Sequence, residues 1–382
     1  MRILLIGDYP PDARLGSAKV YFKLSEALRE LGHDCDVLLG DALGSRPGAS
    51  RLRWIAAPWL ALRAAQRAGV PRGAYDVVDV ASAEGAWIAL AERARRAGPR
   101  VAIISRSHGL EHRNYARMLD DARAGLQPKS WWRRWWYPVS RLWPVGIAAR
   151  ASDRMIVLNA ADRDEVVRRG WKSREGVSIV PHGVSERFLA AAPPSNASRG
   201  AGIIFCGSWD LVKGITYLAD AFAILHRTHP GSRLTVLGPG LPAEAVFAAF
   251  EPSVRASVRV VPRASEDVVM SEFARHDVLV SPSTYEGFGM VVLEAMSQRL
   301  PVVATPEGAA RSMIINGDTG LLVVPRDAPA LARALANVLD DPAAARRRAE
   351  AAHAVATRHG WRETARQTAL LYESARRATD AR

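Results

Sequence analysis

Short apolar runs alternate with helix-like segments along the whole 382-residue chain, and this alternation restricts the possible folds most. Each apolar run has the length of a buried strand, and most are followed by a glycine turn or an amphipathic stretch. This order is typical of parallel sheets covered by helices, because parallel neighbours need a helix-length crossover. We predict strands at 2–6, 35–39, 77–80, 101–105, 154–158, 177–180, 202–206, 233–237, 259–261, 277–280, 302–304 and 321–323.

The length and one change of composition predict the domain organisation. A chain of this size is too long for a single core of ordinary dimensions. The segment 189–201 is rich in Pro, Ser and small residues, as linkers are. We therefore predict an N-terminal Rossmann-like domain at 1–188, a linker at 189–201 and a second Rossmann-like domain at 202–360. Ligands of open α/β sheets bind beyond the carboxyl ends of the strands, so we expect the two domains to face a common cleft.

One segment of the second half has the pattern of a diphosphate site. Glu286 and Glu294 stand eight residues apart and are separated by the turn Gly287-Phe288-Gly289 and the start of a helix at Met290. The first turn of a helix offers unpaired N–H groups and the positive end of the helix dipole, so it binds anions. We expect one carboxylate to meet the sugar hydroxyls and the other to meet the ribose.

This segment resembles the E-x7-E signature of the family 4 glycosyltransferases, which have the GT-B fold. The similarity continues through the strand at 301–305, the glycine turn at 305–308 and the hairpin at 316–325. Upstream, the run from Phe205 to Gly214 matches the family's phosphate-binding pattern F-x-G-R-x4-K-G, except that Ser208 replaces the arginine. Similar motifs begin at Arg2, Gly16, Gly32 and Pro181, so the resemblance covers nearly the whole chain.

The resemblance implies a retaining hexosyltransferase that moves a sugar from a nucleotide diphosphate sugar to an acceptor hydroxyl. It implies two doubly wound, Rossmann-like domains that face each other across a cleft, with a last helix at 361–382 that returns to the N-terminal domain. No metal or other cofactor is expected, because helix N-termini and Lys213 would carry the countercharge. These residues do not distinguish a uridine diphosphate donor from a guanosine diphosphate donor.

The resemblance also assigns roles to individual residues. His108, Glu286 and Lys213 are the candidate catalytic residues. His108 follows a predicted strand and would contact the donor sugar, and Lys213 would neutralise the diphosphate as the bond to the sugar breaks. The candidate donor-binding residues are Gly16, Ser208, Lys213, Gly287, Phe288, Gly289, Met290 and Glu294.

Basic residues are concentrated in the first half. The net charge is +13, and residues 1–190 hold 31 Lys and Arg against 20 Asp and Glu. The most basic stretch is also the most aromatic, and it contains Trp131, Trp132, Arg133, Arg134, Trp135 and Trp136. Such a mixture favours contact with an anionic membrane surface or a lipid-linked acceptor. Internal packing with snorkelling arginines is the main alternative, and stacking on single-stranded nucleic acid is a weaker one.

These observations predict a cytoplasmic enzyme, peripheral at the inner face of the membrane, that acts in envelope polysaccharide or glycolipid biosynthesis. Nothing indicates a nucleic-acid-binding module. Two rival functions remain open: a noncatalytic scaffold that binds membranes or polyanions and keeps a relict sugar-nucleotide cleft, and a GT-B epimerase acting on sugar nucleotides. Two further patterns are weak, namely the G-x-G-x-x-A run that starts at Gly238 and the D-x-D formed by Asp34 and Asp36.

Overall fold

The computed structural model describes residues 1–12, 16–44, 53–127, 131–190 and 202–381. By internal contacts the chain divides into two compact units, one formed by Met1–His182 with Trp361–Arg382 and the other by Gly183–Gly360. The boundary lies six residues before the end of the predicted N-terminal domain, because Phe188 packs against Phe273 of the second unit. Most of the predicted linker, residues 191–201, lies outside the described part of the chain.

The first unit contains a six-stranded parallel sheet with helices between its strands. Its elements in chain order are β1 (Arg2–Gly7), α1 (Gly16–Glu30), β2 (Asp34–Leu39), α2 (Arg53–Arg67), β3 (Val77–Ala81), α3 (Ala86–Arg93), β4 (Ala102–Arg106), α4 (Glu111–Arg123), α5 (Trp131–Tyr137), α6 (Trp143–Ala151), β5 (Arg154–Val157), α7 (Ala160–Arg168) and β6 (Val177–Ile179). A π-helical turn, Pro138–Leu142, joins α5 to α6. The central strand β1 is a continuous apolar run from Ile3 to Ile6, because helices cover both faces of the sheet.

The second unit repeats this architecture. Its elements are α8 (Glu186–Ala190), β7 (Ile203–Cys206), α9 (Ile215–Thr228), β8 (Leu234–Leu237), α10 (Ala243–Phe247), β9 (Val258–Val261), α11 (Glu266–Arg275), β10 (Val278–Ser281), α12 (Met290–Ser297), β11 (Val302–Ala304), α13 (Ala309–Met313), β12 (Leu321–Leu322), α14 (Ala328–Asp340) and α15 (Pro342–Ala356). Its core includes Phe222 of α9 and Leu335 of α14, both fully buried against the sheet.

The order of the strands shows where each sheet would bind a ligand. The first sheet runs β2-β1-β3-β4-β5-β6 and the second runs β12-β11-β10-β7-β8-β9, with all pairs parallel. In each sheet the order reverses once, between β1 and β3 in the first and between β7 and β10 in the second. Loops at such a switch point diverge to opposite faces of the sheet and leave a crevice beyond the carboxyl ends of the strands.

The last helix, α16 (Trp361–Asp380), packs on the first unit. Its Tyr372 is fully buried and donates a hydrogen bond to Asp79 of β3. Asp79 also forms an ion pair with Arg106 of β4, with 2.7 Å between Nη2 and Oδ2. The end of the chain is thus held against the centre of the first sheet by a buried polar triad.

Candidate active site

Two of the predicted catalytic residues lie together at the switch point of the second sheet. Lys213 follows β7 and Glu286 follows β10, and the lysine Nζ donates to Glu286 Oε2 over 2.6 Å. Ser283 Oγ donates to the same carboxylate oxygen over 3.3 Å. Both charged side chains keep part of their surface open to solvent, so a ligand can reach them.

The two loops that carry these residues lie in direct backbone contact. Thr284 N donates to Val212 O over 2.9 Å. Gly214 has a φ of 72°, and a Cβ there would come within 2.0 Å of the Pro282 carbonyl oxygen. Only glycine permits this approach, because any side chain would overlap the neighbouring loop. The glycine of the K-G pair therefore brings Lys213 next to Glu286.

Glu286 itself lies between two further glycines. A Cβ on Gly289, which has a φ of 79°, would approach Glu286 Cγ to 2.9 Å, and a Cβ on Gly308 would do the same. Gly289 is also the N-cap of α12, so that helix begins at Met290, four residues after Glu286. A carboxylate, a lysine and a helix N-terminus thus converge beyond the carboxyl ends of β7 and β10.

The other predicted donor-binding residues occupy varied environments. Gly287 and Phe288 are buried, and the Phe288 carbonyl accepts a hydrogen bond from Ala309 N. Met290 and Glu294 lie on α12 and are partly exposed. Ser208 is exposed on the loop after β7, where the family pattern has an arginine. Gly16 is the exposed first residue of α1 in the other unit.

The third predicted catalytic residue, His108, lies in an aromatic cluster of the first unit. Its Nε2 is 3.1 Å from the Tyr21 hydroxyl, and its Nδ1 is 3.5 Å from Nε2 of His182. The Tyr9 ring meets it edge-on with 5.8 Å between ring centroids. His182 in turn packs against Trp361 of α16. The imidazole is held from both sides at the carboxyl end of β4.

This environment keeps His108 neutral. Burial and, secondarily, the Arg106 guanidinium lower the pKa of His108 to about 3. Burial also lowers the pKa of His182 well below the usual value. A neutral imidazole has one N–H donor and one acceptor nitrogen, so His108 is suited to hydrogen-bond a hydroxyl rather than to neutralise a phosphate.

A network of charged and aromatic residues near Tyr9 was not predicted from the sequence. Arg141, on the π turn, lies 3.2 Å from Glu84 and 2.9 Å from Glu111, measured from its nitrogens to the carboxylate oxygens. Tyr137 donates a hydrogen bond to Glu111. Burial opposes the charge on Arg141, but Glu84 and Glu111 raise its pKa above the usual value. The four-residue spacing of Tyr137 and Arg141, which puts both on one helix face, was the available signal.

The neighbours of His108 in the sequence have separate roles. Glu111 belongs to the Arg141 network, whereas the His112 ring packs edge-on against Trp171 at 4.6 Å. Burial, with a smaller effect of Arg169, lowers the pKa of His112 to about 4.

The basic tryptophan segment is helical, and the structure describes only some of its side chains. Arg134 and Trp135 are exposed, and Trp136 is partly buried. The side chains of Trp131, Trp132 and Arg133 lie outside the described part of the structure. Within that part, no helix has both the length and the apolar composition to cross a bilayer.

The two weak motifs are not at the switch points. Asp34 and Asp36 lie at the amino end of β2, on the edge of the first sheet opposite to the ligand-binding ends of the strands. Gly238 follows β8, which is not a switch-point strand, and the helix after it, α10, has only five residues. No cluster of three or more His, Cys, Asp or Glu suited to a metal ion occurs among the described residues.

Comparisons with known families match both halves of the chain. Residues 193–355 match the family described as glycosyl transferases group 1, and residues 16–188 match the family described as glycosyltransferase family 4. Glycogen synthase from Mycobacterium tuberculosis strain H37Rv is 33% identical over 230 residues. That match covers 60% of this chain and 56% of the synthase, so the chain spans little more than half the length of this relative.

Solved structures match over almost the entire chain. Sucrose-phosphate synthase from Thermosynechococcus elongatus superposes with a TM-score of 0.78, at 22% identity, and the match covers 99% of both chains. The Anabaena protein HepE, solved with UDP and glucose, superposes with a TM-score of 0.70, at 17% identity, over 98% of this chain and 100% of its own. At these identities the likeness concerns the fold, and it is the one that the sequence predicted.

Proposed function

Because the chain belongs to the family 4 glycosyltransferases of the GT-B fold, we propose that it transfers a sugar from a nucleotide diphosphate sugar to an acceptor hydroxyl. The observation that carries the proposal is the Lys213–Glu286 ion pair beside the N-terminus of α12, at the switch point of the second sheet. Few ligands need a cation, a carboxylate and free helix N–H groups in one place. A diphosphate joined to a polyhydroxylated sugar does.

Each part of the donor would bind the group whose charge suits it. The diphosphate would lie at the N-terminus of α12 and beside Lys213, whose ammonium has three N–H groups and gives one to Glu286. Glu286 would accept hydrogen bonds from sugar hydroxyls, and Glu294, one turn into α12, would hold the ribose. Because HepE was solved with UDP, we favour a uridine diphosphate hexose as the donor.

We propose that the transfer proceeds with retention and without a metal ion. The acceptor hydroxyl would attack the anomeric carbon on the face from which the nucleoside diphosphate leaves. As the bond to the phosphate breaks, a phosphate oxygen would take the hydroxyl proton, and Lys213 would stabilise the charge that develops there. Glu286, already paired with Lys213, would position hydroxyls rather than act as a nucleophile. Neutral His108 would donate or accept a hydrogen bond at a sugar hydroxyl.

We propose that the acceptor is a lipid-linked glycan of an envelope polysaccharide or glycolipid, and that the enzyme acts at a membrane surface. The carboxylates and guanidinium of the network formed by Glu84, Glu111 and Arg141 can pair with several hydroxyl groups at the carboxyl end of the first sheet. The helical segment that contains Arg141 also carries the exposed Trp135.

The first experiment is calorimetric titration of the protein with UDP, GDP and ADP, each with and without EDTA. We expect one nucleoside diphosphate to bind selectively and EDTA to leave its affinity unchanged. The same titration of Lys213→Ala should show weaker binding. Arg187→Ala, which removes a surface ion pair with Asp267 in the same unit, is the matched control and should bind like the wild type.

Turnover and stereochemistry are then tested with the selected donor. With an α-linked donor, anomeric coupling constants of the product, read by NMR with a range of glycan acceptors, should show an α-linked sugar. A β-linked product would contradict retention. The absence of binding by any nucleoside diphosphate would contradict the proposed function itself and would favour a noncatalytic scaffold.

A further inference from the structure

Three tryptophans from three helices form a continuous row on the first unit. The Trp59 ring of α2 lies 5.2 Å from that of Trp87 on α3, which lies 6.2 Å from that of Trp143 on α6, measured between ring centroids. Trp59 and Trp143 remain 53% and 61% exposed. The row unites residues that are up to 84 positions apart in the sequence, so it is a property of the fold.

Further apolar side chains extend this row along both outer helices. On α2, Trp54 and Ile55 are 40% and 41% exposed, and on α5 and the π turn Trp135 and Val139 are 71% and 60% exposed. We call these residues, with Trp59, Trp87 and Trp143, the tryptophan face. It holds half of the large apolar side chains that are exposed in the described residues. Exposed apolar area concentrated in this way marks an interaction surface.

The helical segment 131–151 carries three of the seven residues of the tryptophan face and has two distinct sides. Trp135, Val139 and Trp143 are spaced by four residues and point outward, whereas Tyr137 and Arg141 point inward to Glu111. In a regular α-helix a four-residue spacing drifts around the axis, and the wider π turn at Pro138–Leu142 counteracts that drift. Arg141 also lies over the Trp54 ring, 5.8 Å from its centroid, which ties the inward network to the face.

The exposed charges on α2 and on the helical segment 131–151, beside the tryptophan face, are of one sign. Along α2, Ile55, Trp59, Arg63 and Arg67 recur at four-residue spacing and are all exposed. Neither α2 nor the helical segment 131–151 contains an acidic residue. Tryptophan and arginine side chains on a common surface match the interface of an anionic bilayer, where indole rings lie at headgroup level and guanidinium groups pair with phosphates.

We infer that the tryptophan face docks on an anionic lipid bilayer, with the rings of Trp59, Trp135 and Trp143 entering the headgroup region and Arg63 and Arg67 binding lipid phosphates. A second copy of this chain fits less well, because two such faces would oppose like charges. The inference rests on the proposed function, since a lipid-linked acceptor would explain why the enzyme docks on a membrane. Its test, however, requires no turnover.

The experiment is sedimentation of the full chain with vesicles of phosphatidylcholine alone and of phosphatidylcholine mixed with phosphatidylglycerol. We expect binding to the mixed vesicles that weakens as salt is added. Trp59→Ser combined with Trp143→Ser should reduce binding at least about tenfold, because two interfacial rings are lost. Arg63→Glu combined with Arg67→Glu should cause a loss of similar size, since each basic residue near an anionic surface adds to the attraction.

Matched variants separate the face from general effects. Leu370→Ser removes an apolar side chain that is 53% exposed on α16, and Arg346→Glu combined with Arg347→Glu changes the net charge equally on α15. Both should bind vesicles like the wild type, and all variants should keep the same affinity for nucleoside diphosphate. Equal vesicle binding by the face variants and the controls would overturn the inference. So would a dimer that forms in place of vesicle binding and is broken by the two tryptophan substitutions.

Nucleotide binding distinguishes the two proposals. Vesicle binding without any nucleotide affinity would leave the docking surface in place and contradict the proposed transferase. Nucleotide affinity without vesicle binding would contradict the docking surface alone.

Discussion

Lys213 and Glu286 are 73 residues apart in the sequence and form an ion pair in the folded chain. Because of this pair, each side chain holds the other in place before any ligand binds. The pair is about a quarter exposed or less, so its electrostatic effect on a bound diphosphate is only partly screened by solvent.

We therefore expect Lys213→Ala to lower kcat by roughly 10²–10³-fold, the usual loss when one group that stabilises transition-state charge is removed. Glu286→Gln keeps the shape of the side chain but makes weaker hydrogen bonds to sugar hydroxyls. It should therefore lower kcat and raise KM. Initial rates at varied donor concentration would check both. A Lys213→Ala enzyme within threefold of the wild type would contradict the assigned role.

The buried histidines predict how stability depends on pH. The pKa values of His108 and His112 are about 3 and about 4 in the folded chain, against about 6.5 in an unfolded one. The unfolded state therefore binds more protons below pH 6.5, and the free energy of unfolding must fall as the pH is lowered through this range. The stabilisation is complete above the unfolded pKa and is lost progressively toward the folded pKa.

We expect the free energy of unfolding to decrease between pH 6.5 and 5, by up to roughly 1.4 kcal/mol per pH unit for each such histidine. Most carboxylates titrate below this window, so the histidines dominate the slope. Urea denaturation at a series of pH values measures it. His112→Phe, outside the candidate site, should flatten the slope, and an unchanged slope would show that His112 is not held neutral.

At the residue scale, the sequence could identify side chains that belong to a short motif. Lys213, Glu286 and Glu294 stand in such motifs, and His108 stands beside a glycine at a strand end. Tyr21, His182 and Arg141 could not be assigned, because their partners come from distant segments. Arg141, for example, pairs with Glu84 and Glu111, which precede it by 57 and 30 residues.

At the element scale, the strands were predictable and the surfaces of the helices were not. The first strand was predicted at 2–6 and is Arg2–Gly7, and the strand predicted at 302–304 is Val302–Ala304. Strands buried on both faces are continuous apolar runs bounded by turn residues, so each carries its own signal. The tryptophan face depends on which helices are neighbours. Trp59, Trp87 and Trp143 are far apart in the sequence, so no local pattern predicts that their rings lie side by side.

The contact between the loops after β7 and β10 allows a test of how the elements position the site. We expect Gly214→Ala to destabilise the second unit by about 2–5 kcal/mol, since a left-handed φ costs roughly 1–2 kcal/mol and overpacking roughly 1–3 kcal/mol. It should also weaken nucleoside diphosphate binding, because the clash with Pro282 separates Lys213 from Glu286. Urea denaturation and calorimetry measure the two effects.

Gly238→Ala is the matched control for backbone strain. Gly238 has a φ of 71°, almost that of Gly214, but a Cβ there would meet nothing within 4 Å. Gly238→Ala should therefore lower the free energy of unfolding only by the cost of the left-handed φ. It should retain its affinity for the nucleotide. If the two variants behaved alike, the contact between the loops would have no role in holding the site.

At the scale of the whole molecule, each half contains a parallel sheet, and most of the excess positive charge lies in the first half. The division into two Rossmann-like halves follows from the repeated alternation of strands and helices. The assignment of the last helix to the first unit cannot follow from alternation, because it depends on Tyr372 meeting Asp79, 293 residues away.

This long-range contact makes the stability of the first unit depend on the end of the chain. Tyr372→Phe would leave the buried Asp79 carboxylate with Arg106 but without the hydroxyl donor. Hydrogen bonds to buried charged groups contribute about 1.5–3 kcal/mol, so we expect a loss of this size in the free energy of unfolding. Hydrogen exchange should show the loss as faster opening of α16 and of β3 beside it.

Tyr75→Phe provides the comparison, because Tyr75 also donates to a carboxylate of the first unit, Asp36, over 2.8 Å but at the surface. Water can replace that hydroxyl, so the cost should stay below about 1 kcal/mol. Equal costs for the two substitutions would mean that the buried triad does not hold α16. A larger cost for Tyr372→Phe, with faster exchange confined to the first unit, would show that the twenty residues of α16 complete the core of the unit that carries His108 and the tryptophan face.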